Sequence, residues 1–193
     1  MRSRHFGLSQ SLVTLAATLK GHSRPCLKGN DLLPAGRILT SGMEFKIREA
    51  ALSDAQVIAA FNVRLAEESE GLRLDAATVQ AGVAAELNDP TKGIYYVAEI
   101  EGAVVGQLMI TYEWSDWRNG NIWWIQSVYV KPEFRRAGIF RALFNHLRNL
   151  AQTRKDVCSL RLYVHAENTR AAESYKRLGM TLTQYEVFDL DVR

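Results

Sequence analysis

The segment of residues 128–151 constrains the fold most, because its apolar pattern changes from strand to helix periodicity across a short basic turn. Residues 128–130 are β-branched or aromatic, which favours a strand, and Pro132 ends that strand because proline cannot donate to a ladder. Beyond the turn, apolar residues recur at helical spacing. They are Ile139, Phe140, Leu143, Leu147, Leu150 and Ala151. The segment therefore predicts a strand, a tight turn and a helix.

The turn between this strand and this helix has the composition of an anion-binding site. The first N–H groups of a helix are unpaired and lie at the positive end of its dipole, and Gly138 lets a ligand approach the backbone closely. Arg135, Arg136 and Arg141 add guanidinium groups around the same point. The turn therefore predicts binding of a phosphate or pyrophosphate. An ordinary strand-to-helix connection with a solvated basic cluster explains the same residues.

A second informative spacing follows in residues 168–179. Asn168 is a good helix cap, and Tyr175 lies two turns later, on the helix face that carries Asn168 and Ala171. A cap followed by a buried aromatic residue is common in amphipathic helices, so this spacing alone does not identify a site. Its position downstream of the arginine-glycine turn favours a function shared by both segments.

Together the two patterns resemble the acetyl-CoA signature of the GNAT superfamily of N-acetyltransferases. Residues 135–140 match R-x-x-G-x-G/A except that Phe140 replaces the second small residue, and residues 168–179 match N-x-x-A-x-x-x-Y-x-x-x-G. The resemblance implies direct acetyl transfer in a ternary complex, with Tyr175 protonating the departing thiolate, and it implies no metal. The implied acetyl-CoA-binding residues are Val128, Tyr129, Val130, Arg135, Arg136, Ala137, Gly138, Ile139, Phe140, Arg141, Asn168 and Ala171.

The resemblance covers residues 44–191 and implies an α/β fold. That fold is a GNAT-like mixed, mainly antiparallel sheet of six to seven strands with helices on both faces. The patterning predicts strands at 44–48, 93–100, 103–112, 121–130, 157–164 and 182–189. It predicts helices at about 54–68, 76–87, from 139 onward, and 169–178. Residues 43–193 are therefore the expected acetyltransferase domain.

Residues 1–42 differ from the rest of the chain in charge. They hold six basic residues and one acid, a net charge of +5, whereas the other 151 residues hold 18 basic and 20 acidic residues, a net charge of −2. The basic character thus belongs to this extension, and nucleic-acid binding by the domain loses its main argument. The extension resembles a mitochondrial transit peptide, or it is upstream sequence before a true start at Met43, which we favour. We expect it to be disordered.

The acceptor is expected to meet carboxylates and aromatic faces, because both attract a cation. Within the superfamily, residues 65–68, residues 112–114 and the Tyr175 helix most resemble the spermidine/spermine acetyltransferases. Enzymes of that branch carry a carboxylate where this chain has Gln126. Glutamine cannot take a proton, so the identity of the base stays open. The predicted acceptor contacts are Glu68, Glu113 and Gln126, although such acids are equally typical of a solvated surface. Nearby tryptophans suit packing in the core or between two copies, which leaves a homodimer open.

Other sequence features narrow the function classes. No apolar run approaches the ~20 residues that span a bilayer, so no membrane association is expected. Cys26 and Cys158 provide neither a disulfide framework nor metal-ligand spacing, as is typical of a reducing compartment, and a cytoplasmic location is expected. The predicted reaction is acetylation of a primary amine on a small cationic molecule. The alternatives are acetylation of a protein or peptide amine, and a non-catalytic module that senses acyl-CoA.

Overall fold

The computed structural model describes residues 37–40 and 43–192. Its strands are β1 (Arg37–Thr40), β2 (Met43–Glu49), β3 (Ile94–Ile100), β4 (Ala103–Ser115), β5 (Gly120–Val130) and β6 (Val157–Arg161). Its helices are α1 (Ala55–Glu70), α2 (Ala76–Leu87), α3 (Ile139–Thr153) and α4 (Thr169–Arg177), and single 3-10 turns precede α1 and α3. The strands form one sheet in chain order, antiparallel throughout except for the parallel pair β5 and β6. The predicted mixed, mainly antiparallel sheet is confirmed.

The number of strands differs from the prediction. Within the expected domain the sheet has five strands, β2 to β6, and not six to seven. The predicted strand at 182–189 is wrong: its apolar side chains, such as Leu182 and Phe188, are about nine-tenths exposed. Its alternating pattern is strand-like, but a strand also needs a neighbour that satisfies its backbone groups, and none of the described strands pairs with it.

The sheet gains its further strand from the N-terminal side. In β1, Arg37 pairs with Lys46 and Thr40 pairs with Met43 of β2. The predicted boundary at residue 42 therefore falls inside a hairpin. The prediction that the extension is disordered mainly concerns residues 1–36, which lie outside the described residues.

Helices cover both faces of the sheet, as predicted. On one face α1 and α2 bury Ile58, Phe61 and Val83 against apolar residues of β3, β4 and β5. On the other face α3 buries Leu143 and Leu147 against the larger cluster. Two apolar layers therefore hold the sheet rigid between its helices.

The central strand β5 is irregular at the point where it leaves β6. Gln107 of β4 pairs with Tyr129, but Met109 pairs with Gln126, so Ser127 and Val128 together face one residue of β4. Ser127 has a φ of 50°, as in a bulge that re-aims a strand. β6 pairs with β5 only as far as Trp124. The rest of β5 is therefore open on its β6 side, which leaves space for a ligand between the two strands.

Across 37–40 and 43–192, none of the helices combines the length and apolar character needed to cross a bilayer. In those ranges, no three His, Cys, Asp or Glu side chains converge as metal ligands.

Candidate functional site

The basic turn has the backbone geometry of an anion-binding loop. After the 3-10 turn of Pro132–Phe134, Arg136 and Gly138 both adopt left-handed conformations, with φ values of 68° and 83°. Gly138 is the N-cap of α3, and its carbonyl accepts the first helical hydrogen bond from Ala142 N at 3.0 Å. The N–H groups of the first turn of α3 thus lie at the helix end. This arrangement suits a phosphate group.

The turn and α4 enclose a cleft of about 840 Å³, here called the cofactor cleft. This cofactor cleft brings together residues that the sequence places some thirty positions apart. Its predicted members are Val128, Val130, Arg135, Arg136, Gly138, Ile139, Phe140, Arg141, Asn168, Ala171 and Tyr175. The sequence interpretation missed Leu65, Phe134, Arg170, Ser174, Arg177 and Leu178, which also line it. The extra arginines were detectable in sequence, since both lie in the predicted Tyr175 helix.

Two residues predicted to bind the cofactor do not line this cleft. The ring of Tyr129 packs on Phe61 of α1 with 4.9 Å between ring centroids, so its side chain lies on the opposite face of the sheet. The side chain of Ala137 packs against the core beneath the turn. Strand alternation explains the first case, because Val128 and Val130 occupy the cleft face. Only the backbone of Tyr129 and Ala137 is left for a ligand in the cofactor cleft.

Tyr175 lies on the wall of the cofactor cleft contributed by α4. Its ring makes an edge-on contact with Phe140, with 5.7 Å between centroids. Burial raises the pKa of the Tyr175 phenol, which keeps the hydroxyl protonated at neutral pH. Asn168 caps the same helix by accepting a hydrogen bond from Ala171 N at 3.1 Å, as predicted. The phenol thus stays protonated on the cleft wall, and Phe140 is turned toward α4.

Glu68 is tied to the basic turn of residues 135–138, here called the cofactor turn. Its carboxylate accepts hydrogen bonds from Arg135 Nη2 at 2.5 Å and from the Tyr129 hydroxyl at 3.0 Å. Burial alone would raise the pKa of Glu68, but the two donors hold the pKa below its usual range. Glu68 therefore stays ionised, and its proton affinity is low for a base.

The other two predicted acceptor contacts lie on the α1 and α2 face of the sheet. Gln126 Nε2 donates to Thr111 Oγ1 at 2.6 Å. Glu113, two residues further along β4, accepts a hydrogen bond from Trp124 Nε1 at 2.5 Å and an ion pair from Arg161 at 3.4 Å. Since strand residues two apart share a face, Thr111 and Glu113 face the same side. Neither Gln126 nor Glu113 lines the cofactor cleft.

A second cleft of about 530 Å³, here called the acceptor cleft, lies between α1, α2 and the sheet. Thr111, Ser127 and Tyr95 form its sheet side. Leu65 of α1 lines both clefts, and Ser127 in the acceptor cleft adjoins Val128 in the cofactor cleft. The two clefts therefore meet at the bulge of β5.

A buried polar chain holds this bulge. Gln107, fully buried in β4, donates to Asn62 Oδ1 at 2.7 Å and to Ser127 O at 3.2 Å. Asn62 in turn donates to the Tyr95 hydroxyl at 2.8 Å. The sequence interpretation missed this chain, although a glutamine inside an otherwise apolar strand is a detectable signal. The hydrogen bonds fix the backbone where the two clefts meet.

Comparison with known proteins places this geometry in a family. Residues 60–180 match the model of the Acetyltransferase (GNAT) family. A thialysine N-epsilon-acetyltransferase from Bos taurus is 37% identical over 84 residues, which are 43% of this chain and 48% of that protein. The chain thus spans about half the length of the curated relatives that it matches.

Solved structures share the fold. A possible acetyltransferase from Clostridium difficile 630 has a TM-score of 0.74 and 46% identity, and the match covers 77% of this chain and 98% of that one. A predicted acetyltransferase with acetyl-CoA from Clostridium acetobutylicum has a TM-score of 0.63 and 18% identity, with coverages of 77% and 96%. The family match over more than half of the sequence shows that the chain belongs to the GNAT family of acetyltransferases.

Proposed function

We propose that the protein transfers the acetyl group of acetyl-CoA directly to a primary amine of a small cationic molecule, with both substrates bound together. The observation that carries this proposal is the meeting of two clefts at the β5 bulge, where Leu65 lines both. One cleft is rich in arginine and the other is open to a separate ligand. This arrangement supports attack from one cleft on a group presented in the other.

The residues of the cofactor cleft fit acetyl-CoA. Five arginines line it, and phosphate groups are bound well by guanidinium groups and helix N-termini together. They are Arg135, Arg136, Arg141, Arg170 and Arg177. The apolar walls from Val128, Val130 and Leu178 suit the less polar arm of the molecule. The solved Clostridium acetobutylicum acetyltransferase, which contains acetyl-CoA, supports the same ligand. When bound, acetyl-CoA would supply an activated acyl group.

Tyr175 would act as the acid in this reaction. A thiolate that leaves a thioester must gain a proton, and the Tyr175 phenol, which is protonated at neutral pH and lies on the cleft wall, can donate one. A module that only senses acyl-CoA needs no such donor. The position of Tyr175 on the cleft wall therefore favours an enzyme.

Two acids that line the acceptor cleft, Glu70 and Glu86, support a cationic acceptor. Glu113 and Gln126 lie on the same face of the sheet but do not line this cleft. Gln126 donates to Thr111, which does line it. Glu68, which is engaged by Arg135, would act mainly by orienting the cofactor turn. The Bos taurus relative is named for acetylation of the ε-nitrogen of thialysine, a small-molecule amine. We infer an acceptor of that chemical class here.

The test is release of free CoA by the full chain with acetyl-CoA and a panel of amines. The panel contains alkylamines, diamines, lysine analogues and a lysine-containing peptide. We expect turnover with at least one small amine, and loss of most of that turnover in Tyr175→Phe. Failure of the wild-type protein to bind acetyl-CoA in calorimetry would contradict the proposal, as would binding without turnover of any amine.

A further inference from the structure

The acceptor cleft contains a buried carboxylate, one oxygen of which is unsatisfied in the part of the chain that the structure describes. Glu86 of α2 lines this cleft and is 8% exposed. Its Oε2 atom is buried and has no hydrogen-bond partner among the described residues. An unpaired carboxylate in such a place is costly, because burial removes its hydration and nothing replaces it. A ligand that brings a positive charge into the cleft would remove this cost.

The other charged and titratable groups that line the cleft are compatible with a cationic ligand beside Glu86. Glu70 faces the cleft from α1, Lys92 from the segment before β3, and Tyr95 from β3. Lys92 is paired with Asp89, so its charge is already compensated. Tyr112 of β4 also interacts electrostatically with Glu86. The lining of the cleft thus carries two acids, Glu70 and Glu86, and one lysine that is paired with Asp89, a balance that favours a cation.

Burial alone raises the pKa of the Glu86 carboxyl to about 7. The carboxylate thus binds a proton more strongly than an ordinary glutamate does at neutral pH. Glu68, by contrast, has a lowered pKa. Of these two glutamates, Glu86 is the one suited to accept a proton.

The rest of the cleft indicates the shape of the ligand. Its other walls are mainly aliphatic, which suits a short apolar stem attached to the charged group. The aliphatic and thioether residues are Leu65, Leu72, Leu74, Val79, Val83 and Met109. The cleft shares Leu65 with the cofactor cleft, so an amine held here would approach the cofactor cleft from its own side of the β5 bulge.

We propose that Glu86 is the acceptor-binding carboxylate, which pairs with the ammonium group of a small amine with an apolar stem and takes up the proton that its nitrogen must lose. This inference rests on the proposed acetyltransferase function and assigns the acceptor site within it.

The proton balance of the step is closed. The ammonium nitrogen gives one proton to Glu86, which releases it to solvent after turnover. The nitrogen lone pair forms the new bond to the acetyl carbon while the carbon–sulfur bond breaks. The nitrogen loses its second proton as the amide forms, and this proton replaces the one that Tyr175 gives to the thiolate. The net products are the acetylated amine, CoA thiol and one proton.

The test compares Glu86→Gln, Glu86→Asp and the exposed control Glu101→Gln in the full chain. Each variant is assayed across pH with n-butylamine, which is cationic at neutral pH, and with hydroxylamine, which is largely neutral there. We expect Glu86→Gln to lower kcat/KM for n-butylamine at least about tenfold and to remove the titration near neutral pH. Hydroxylamine turnover and acetyl-CoA affinity should change little, and Glu86→Asp should restore part of the activity.

The outcomes separate the two proposals. If Glu86→Gln matches the wild type with n-butylamine at every pH, the assignment of Glu86 is wrong while the acetyltransferase proposal stands. An equal loss with both nucleophiles would indicate a structural defect and also overturn the assignment. If the wild type binds acetyl-CoA but acetylates no amine, the proposed function and the assignment that rests on it both fail.

Discussion

Arg135 joins the cofactor turn to α1 through Glu68, with 2.5 Å between Arg135 Nη2 and Glu68 Oε2. Its Nε atom also donates to Val130 O at 2.8 Å, at the end of β5. The guanidinium group is thus held between a carboxylate and a strand end before any phosphate arrives. Binding a pyrophosphate requires Arg135 to share or exchange these partners, whereas Arg136 makes no ion pair with the described residues.

This difference predicts that Arg135 and Arg136 contribute unequally to the free energy of acetyl-CoA binding. Arg136→Ala should weaken acetyl-CoA binding by about 1.5–3 kcal/mol, the range for a hydrogen bond to a charged group. Arg135→Ala should cost less, because the wild-type side chain gives up part of its Glu68 pair on binding. Calorimetry on both variants measures the difference. Equal losses would show that the Glu68 pair does not compete with the ligand.

The Tyr175 hydroxyl is expected to affect turnover and not binding. Tyr175→Phe keeps the ring against Phe140 and removes only the acid, so kcat should fall by ~10²-fold with acetyl-CoA affinity unchanged. Steady-state kinetics and calorimetry with Tyr185→Phe as an exposed control separate the two quantities. A wild-type kcat would mean that water protonates the thiolate.

Glu86 should also leave a signature in the pH dependence of stability. Its folded-state pKa of about 7 lies above the ordinary value of 4.5, so the folded state binds its proton more tightly than the unfolded state. The resulting stabilisation is complete below pH 4.5 and is lost as the pH rises through 7. Relative to Glu86→Gln, the wild type should lose on the order of 3 kcal/mol across this window. Urea unfolding at a series of pH values tests this, and a constant difference between the two proteins would contradict it.

The N-terminal extension offers a pair of truncations that differ by one strand. Removal of residues 1–36 should leave the Tm and the acetyl-CoA affinity unchanged, because these residues precede β1. Removal of residues 1–42 also deletes β1 and exposes the edge of β2, so the Tm should fall. Thermal unfolding of both truncated proteins measures the contrast. A large loss of stability in the shorter deletion would show that residues 1–36 pack on the domain.

Most residues of the cofactor cleft were predictable because they fall in two short continuous segments, residues 128–141 and 168–178. A change of periodicity, a glycine after two arginines and a tyrosine seven residues after a cap are all visible in sequence, and folding brings them together. The burial of Glu86 was not predictable. A glutamate near the end of a helix usually faces water, and its burial depends on how α2 docks on β3 and β4.

The strand prediction at 182–189 was wrong for a related reason. Alternating apolar residues indicate that a segment favours the extended conformation. To form a strand, the segment must also reach an unpaired edge of the sheet. Pairing partners are a property of the whole sheet, and the sequence of one segment does not contain them.

Leu65 of α1 lines both the cofactor cleft and the acceptor cleft, so one side chain borders the two proposed substrate sites. Any change in its size alters the room for the acyl group and the room for the amine at once. Variants that accept a bulkier acyl donor through position 65 will therefore also shift their amine preference. A substitution at position 65 therefore changes the selectivity for the acyl donor and the selectivity for the amine together. Keeping one of them unchanged requires a second substitution elsewhere in its cleft.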